Sequence, residues 1–167
     1  MWRGGHFAIS PRQGEPVKRE EDGRTPAGVF AIGRPFRFAP SSRTNYLQLK
    51  PETVCVDDPA SAAYNTITSR EKVGERVSAE SMRSMLYRRG LLLDYPTNAA
   101  ARAGSCIFVH VWRSPEEGTL GCIALLEERI AALQDFVARH STALAIVPAA
   151  ARDRLAACLP AVDAESR

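Results

Sequence analysis

The sequence is poor in histidine. His6, His110 and His140 are the only three in 167 residues, so an imidazole base has three candidates at most. Long apolar runs are missing too. No stretch approaches the ~20 residues of a membrane-spanning helix, and no membrane span is expected. The four cysteines, Cys55, Cys106, Cys122 and Cys158, form no Cys-x-x-Cys pair and no Cys/His spacing suited to zinc. No metal and no cofactor are expected on that basis. Repeats, low-complexity tracts and linkers are absent, and the N-terminal Met1-Trp2-Arg3-Gly4-Gly5-His6 lacks the apolar core of an export signal. Lysine is scarce, three against 19 arginines, and the net charge is only +3. Basic residues outnumber acidic ones nine to four in residues 1–50, but acids are interspersed among them, which argues against a nucleic-acid-binding face.

What is present is ordinary for a folded chain: 45% hydrophobic and 25% charged residues. A chain of this length buries roughly 70% of its unfolded surface, so residues 1–167 are expected to form one domain; a monomer is the expected state. Short β-like runs lie at Gly5–Ser10, Pro16–Lys18, Gly28–Ile32, Tyr46–Leu49 and Thr53–Val56, with Asp22-Gly23 and Thr25-Pro26-Ala27-Gly28 as turns. Helical spacing of Met82, Met85 and Leu86 predicts a helix over 78–89, stopped by Gly90. Strands are expected next at Leu91–Tyr95 and Cys106–Trp112. Leu126, Ile130, Leu133 and Phe136/Val137 mark an amphipathic helix ending near His140. A strand at Thr142–Val147 and a helix at Ala149–Cys158 complete the reading. Strands and helices do not alternate from the start, so the expectation is a mainly β fold with helical decoration, a sandwich or barrel.

His140 at a helix end complements the helix dipole, and His6 reads as a surface residue. His110 stands instead within Ile107-Phe108-Val109-His110-Val111-Trp112, where burial requires the imidazole to be hydrogen-bonded. A polar turn-rich loop leads from there to Gly121-Cys122, and the return can bring Cys122 beside His110 as nucleophile and base. Cys106 is four residues from His110, about 13 Å along a strand at ~3.3 Å per residue. Cys55 and Cys158 read as small buried apolar residues. Gly121 lets successive N–H groups converge on one point, as an oxyanion hole requires. A helix starting just after Cys122 is expected to favour its thiolate.

Four blocks together resemble the L,D-transpeptidase catalytic domain (YkuD type): VKREEDGRTPAGVF at 17–30, VCVDDP at 54–59 with Tyr64-Asn65, GSCIFVH at 104–110, and TLGCIAL at 119–125. The resemblance spans about residues 5–140, and its first and last blocks are the specific ones. It implies Cys122 as the nucleophile, His110 as the base, the Val111 carbonyl as the group orienting the imidazole, and the N–H groups of Leu120, Gly121 and Cys122 as the oxyanion hole. Two departures are visible: Leu120 stands where many members have histidine, and the interval from His110 to Cys122 is short. The implied function is acyl transfer on peptidoglycan stem peptides through a Cys122 thioester, in the periplasm or cell wall. The same pair could serve an L,D-carboxypeptidase or amidase, and a catalytically silent wall-binding module is the alternative from another class.

Overall fold

The computed structural model describes residues 7–8, 17–97, 100–155 and 157. Its elements in chain order are β1 (Phe7–Ala8), β2 (Gly28–Arg37), β3 (Leu47–Gln48), β4 (Thr53–Val56), β5 (Ile67–Ser69), α1 (Arg70–Val73), β6 (Ala79–Ser81), a 3₁₀ turn at Met85–Arg88, β7 (Arg89–Leu93), β8 (Phe108–Val111), β9 (Ile123–Leu125), α2 (Glu127–Val137), β10 (Ala143–Ile146), a second 3₁₀ turn at Ala149–Ala151 and α3 (Arg152–Leu155). The fold is mostly β, in two sheets, with few helices.

The long strand β2 organises the larger, seven-stranded sheet. Its first half pairs with β1 and β10, and its second half with β3 and β7. The register shifts between Ile32 and Pro35, where a proline that cannot donate to the ladder is accommodated by the irregularity. The sheet continues from β7 through β8 to β9. Strand β4 centres the smaller sheet, flanked by β5 and β6.

Alternation along β8 divides its side chains between two surroundings. Val109 and Val111 pack with Leu91 and with Ile130 of α2, while Phe108 joins Phe36, Met82 and Tyr87 on the other side. His110 shares the Phe108 side. All four residues of β8 are buried, which explains why its sequence reads as a nearly unbroken apolar run. Buried Gln134 anchors α2 to the sheet: its amide donates to the Gly90 carbonyl at 2.7 Å and to the Phe36 carbonyl at 3.2 Å.

Several expected boundaries move. The helix over 78–89 is instead β6 followed by a 3₁₀ turn. Met82 is fully buried but Met85 is 65% exposed, so the apolar spacing does not mark one helical face, and residues 79–81 pair with β4. Gly90 is no helix stop. It lies in β7 opposite His110, and a Cβ there would meet the Phe36 ring at 2.3 Å and the Val109 carbonyl at 2.4 Å. Val17 and Lys18 are not in a strand, and Pro16 lies outside the described residues. The C-terminal helix is a 3₁₀ turn plus Arg152–Leu155, with Cys158 outside the described residues. Within the expected strand Gly5–Ser10 only Phe7–Ala8 is described.

The cysteine reading also changes. Cys55 is not simply a small buried apolar residue: it is bonded to Cys106 in a disulfide, 51 positions apart in sequence. The bond ties β4 of the smaller sheet to the segment entering β8. Closing a loop of that length contributes about 4 kcal/mol on a chain-entropy estimate.

Candidate active site

The loop after β8 returns as β9, which runs parallel to β8 with Val109 opposite Ile123, His110 opposite Ala124 and Val111 opposite Leu125. This register puts Cys122 one position before β9, level with Phe108, whose backbone N–H donates to the Cys122 sulfur at 3.4 Å. His110 and Cys122 therefore open on one cavity of about 710 Å³, with Tyr87, Glu80, Trp112 and Leu120 among its lining residues. The His110 Nδ1 lies 2.8 Å from the Val111 carbonyl oxygen. A carbonyl only accepts, so Nδ1 carries the proton and Nε2 keeps its lone pair.

Residues far apart in sequence fix the approach to Cys122. The Thr119 hydroxyl donates to the Cys122 carbonyl at 2.6 Å and accepts from the Gly121 N–H at 3.2 Å. Thr25 also donates to the Cys122 carbonyl, at 3.4 Å. Gly121 has φ +141°, and a Cβ there would lie 3.0 Å from the Arg24 carbonyl oxygen. The Arg24-Thr25 turn is thus packed directly on the Gly-Cys turn. The expected convergence of three N–H groups is modified: the Gly121 N–H is already committed to Thr119, leaving those of Leu120 and Cys122 as the candidates from that set. Leu120 itself is 90% exposed at the cavity rim.

The resting electrostatics overturn the expectation of a favoured thiolate. Cys122 leads into β9, and α2 begins only at Glu127, so no helix N-terminus lies at the sulfur. Burial pushes the Cys122 thiol up to about 12, and the nearby Glu80 charge adds to this, against the opposing hydrogen bond from the Phe108 N–H. Burial lowers the pKa of His110 below the ordinary histidine value, opposed by its bond to Val111. At neutral pH the pair is a thiol and a neutral imidazole.

Three contributors carry no signal in the sequence. Tyr87 places its ring edge-on to His110, centroids 5.3 Å apart, and its hydroxyl donates to Glu80 at 2.6 Å. Burial raises the pKa values of both Tyr87 and Glu80. The position of Tyr87 within an apparent helical pattern gives no hint of this. The third is Glu20, which receives the Tyr64 hydroxyl and, at 3.2 and 3.1 Å, the N–H and hydroxyl of Ser105. It lies within the block at 17–30, where nothing local distinguishes it from its acidic neighbour Glu21.

Among the described residues no group of three or more His, Cys, Asp or Glu side chains is placed to hold a metal ion, and no helix is long and apolar enough to cross a membrane. No family model matches the chain, and the searches of curated proteins and of solved structures found no significant match to it.

Proposed function

We propose that this chain is a cysteine acyltransferase acting on peptidoglycan stem peptides, an L,D-transpeptidase with Cys122 as nucleophile and His110 as base. One observation carries the reading. A thiol and an imidazole share a single cavity, and the imidazole has its Nδ1 committed to a carbonyl, which leaves Nε2 as the basic atom. That is the protonation state a general base requires.

In the proposed cycle the Cys122 sulfur attacks the carbonyl joining the diamino-acid residue to the terminal D-alanine of a stem peptide. The thiol proton passes to His110 Nε2 as the sulfur–carbon bond forms. Collapse of the tetrahedral adduct expels D-alanine, whose amine takes the proton back from His110. An amine of a second stem then attacks the thioester and gives its proton to His110, which returns it to the Cys122 sulfur as the carbon–sulfur bond breaks, restoring the thiol and the neutral imidazole. The oxyanion is received by backbone N–H groups of the Leu120–Cys122 turn. With water in place of the second amine, the same residues act as a carboxypeptidase. The Cys55–Cys106 disulfide supports a location in an oxidising compartment, such as the periplasm or cell wall where this substrate is found.

Incubating the purified protein with a carbapenem and measuring intact mass tests the nucleophile. A single adduct mapped to Cys122 is expected, and no adduct, or one on another cysteine, would sink the assignment. His110→Ala is expected to slow acylation by roughly 10²–10⁴ while the protein stays folded at the assay temperature. Acylation of that variant at the wild-type rate would remove His110 from the role. With muropeptides, cross-linked dimers support transpeptidation and shortened monomers support hydrolysis.

A further inference from the structure

The Cys122 sulfur has a partner besides the imidazole side of the cavity. Its thiol donates to the Cys106 carbonyl at 3.3 Å. That carbonyl is aimed by an unusual backbone, since Cys106 has φ +54°, a left-handed conformation that a non-glycine residue seldom keeps unless held. The holding groups are on both sides of it. The Cys106 side chain is bonded to Cys55 in β4, and its N–H donates to Asn65 Oδ1 at 2.9 Å. Asn65 is itself left-handed at φ +57°, and Ser105 just upstream is fastened to Glu20. An acceptor beside the sulfur stabilises S–H and opposes S⁻.

We propose that the Cys55–Cys106 disulfide and Asn65 are positioning groups that guard the nucleophile, fixing the Cys106 carbonyl as the resting acceptor of the Cys122 thiol until substrate turns that proton towards His110. This rests on reading Cys122 as the nucleophile. The benefit comes from cysteine chemistry: a thiolate is the form that electrophiles and peroxides attack, so a thiol held protonated resists damage in an oxidising compartment. It also makes the site reductant-sensitive. A dithiol reductant would deliver two electrons and two protons to the Cys55 and Cys106 sulfurs, closing to its own disulfide and freeing the Cys106 turn to relax.

The titrating and charged groups facing the cavity around Cys122 are His110 from β8, Tyr87 from the 3₁₀ turn, Glu80 from β6, Asp57 after β4, and Arg113 and Glu117 from the loop before β9. Glu20 and Glu21 line it from the segment before β2. All of these stay unchanged when only Cys55, Cys106 or Asn65 is replaced.

The test is the pH profile of Cys122 alkylation by iodoacetamide, with peptide mass mapping, on the wild type, on C55A/C106A and on Asn65→Gly. The last keeps the disulfide and tolerates a left-handed backbone, removing only the acceptor that holds the Cys106 N–H. In both variants the alkylation midpoint is expected to move to lower pH. The rate at pH 8 should rise about threefold per unit of movement, since thiolate gains tenfold and loses some intrinsic nucleophilicity. A profile unchanged from wild type in Asn65→Gly, or in a C55A/C106A protein that melts cooperatively, overturns the proposal. If C55A/C106A does not fold, Asn65→Gly decides alone. Carbapenem acylation of the wild type, run in parallel, separates the two levels: its absence removes the transpeptidase reading without touching the alkylation comparison.

Discussion

Replacing Gly121 by alanine tests whether the Arg24-Thr25 turn and the Gly121-Cys122 turn form one unit. The new methyl group would meet two obstacles. At φ +141° an L-residue is strained, and its Cβ would sit 3.0 Å from the Arg24 carbonyl oxygen, a backbone atom without a flexible side chain's freedom to move aside. Strain of this kind costs roughly 1–3 kcal/mol, and about 2 kcal/mol is a fair centre. For a chain of this size each kcal/mol lowers the melting midpoint by about 2–4 °C, so a fall of about 4–8 °C is expected. Because Thr25 and Thr119 both hold the Cys122 carbonyl, displacement of the turn should also slow acylation of Cys122. Differential scanning calorimetry and intact-mass kinetics on the same preparation read both effects. Gly118→Ala is the control, since a Cβ there meets nothing within 4 Å. A Gly121→Ala protein melting within about 1 °C of wild type would refute the strain argument. A normal acylation rate in a protein with the expected loss of stability would refute the coupling between the two turns.

Gln134→Ala is expected to lower stability by roughly 2–3 kcal/mol, because it leaves the buried Gly90 and Phe36 carbonyls without their donor; a urea midpoint indistinguishable from wild type would contradict this. Thr119→Val is expected to slow acylation about tenfold, the equivalent of one hydrogen bond's worth of misplacement at the Cys122 carbonyl, and an unchanged single-turnover rate would count against it. The acid limb of acylation is expected to have its midpoint below pH 6.5, because His110 must be unprotonated to accept the thiol proton and burial lowers its pKa; a midpoint at pH 7 would exclude His110 as the titrating base. The same shift acts on stability with a definite sign. Below pH 6.5 the unfolded chain takes up a proton that folded His110 resists, so this contribution destabilises the fold as pH falls through 6.5, and a urea-midpoint series across pH 5–7 in wild type and His110→Ala measures it.

The parts of the fold that are legible in the sequence are those where local pattern and tertiary environment agree. Thr53–Val56 reads as a strand and is one, and the spacing of Leu126, Ile130 and Leu133 gives α2 within a few residues. The helix expected over 78–89 does not form because three apolar residues at helical spacing serve different surroundings, with Met82 in the core and Met85 facing solvent. Gly90 reads as a terminator, yet its missing side chain makes room for Phe36. At the site, His110 and Cys122 are identifiable because a polar residue inside an apolar strand and a Gly-Cys turn are visible locally. Tyr87 and Glu80 are not, since their importance comes from contacts between separate elements, and Asn65 is visible only as part of a resembling block, with no sign of its bond to the Cys106 N–H. The disulfide is hidden for the same reason, connectivity being a property of the folded chain rather than of the spacing of its cysteines.

The ionisation of the site constrains how the proposed reaction must begin. With burial pushing the Cys122 thiol up to about 12 and holding His110 below the ordinary histidine value, moving the proton from sulfur to imidazole in the resting site is strongly uphill. A mechanism that waits for a preformed thiolate–imidazolium pair would carry that whole cost before any bond to substrate formed. A mechanism in which the proton leaves as sulfur bonds to carbon does not, because the negative charge passes from the sulfur to the substrate oxygen, where backbone N–H groups meet it. Geometry and electrostatics are then consistent with each other: burial and the Cys106 carbonyl keep the thiol protonated at rest, the Val111 carbonyl keeps Nε2 free to accept, and the charge develops only where donors receive it. A site that holds Cys122 as a thiol at rest favours an acyl donor that fills the cavity and excludes water.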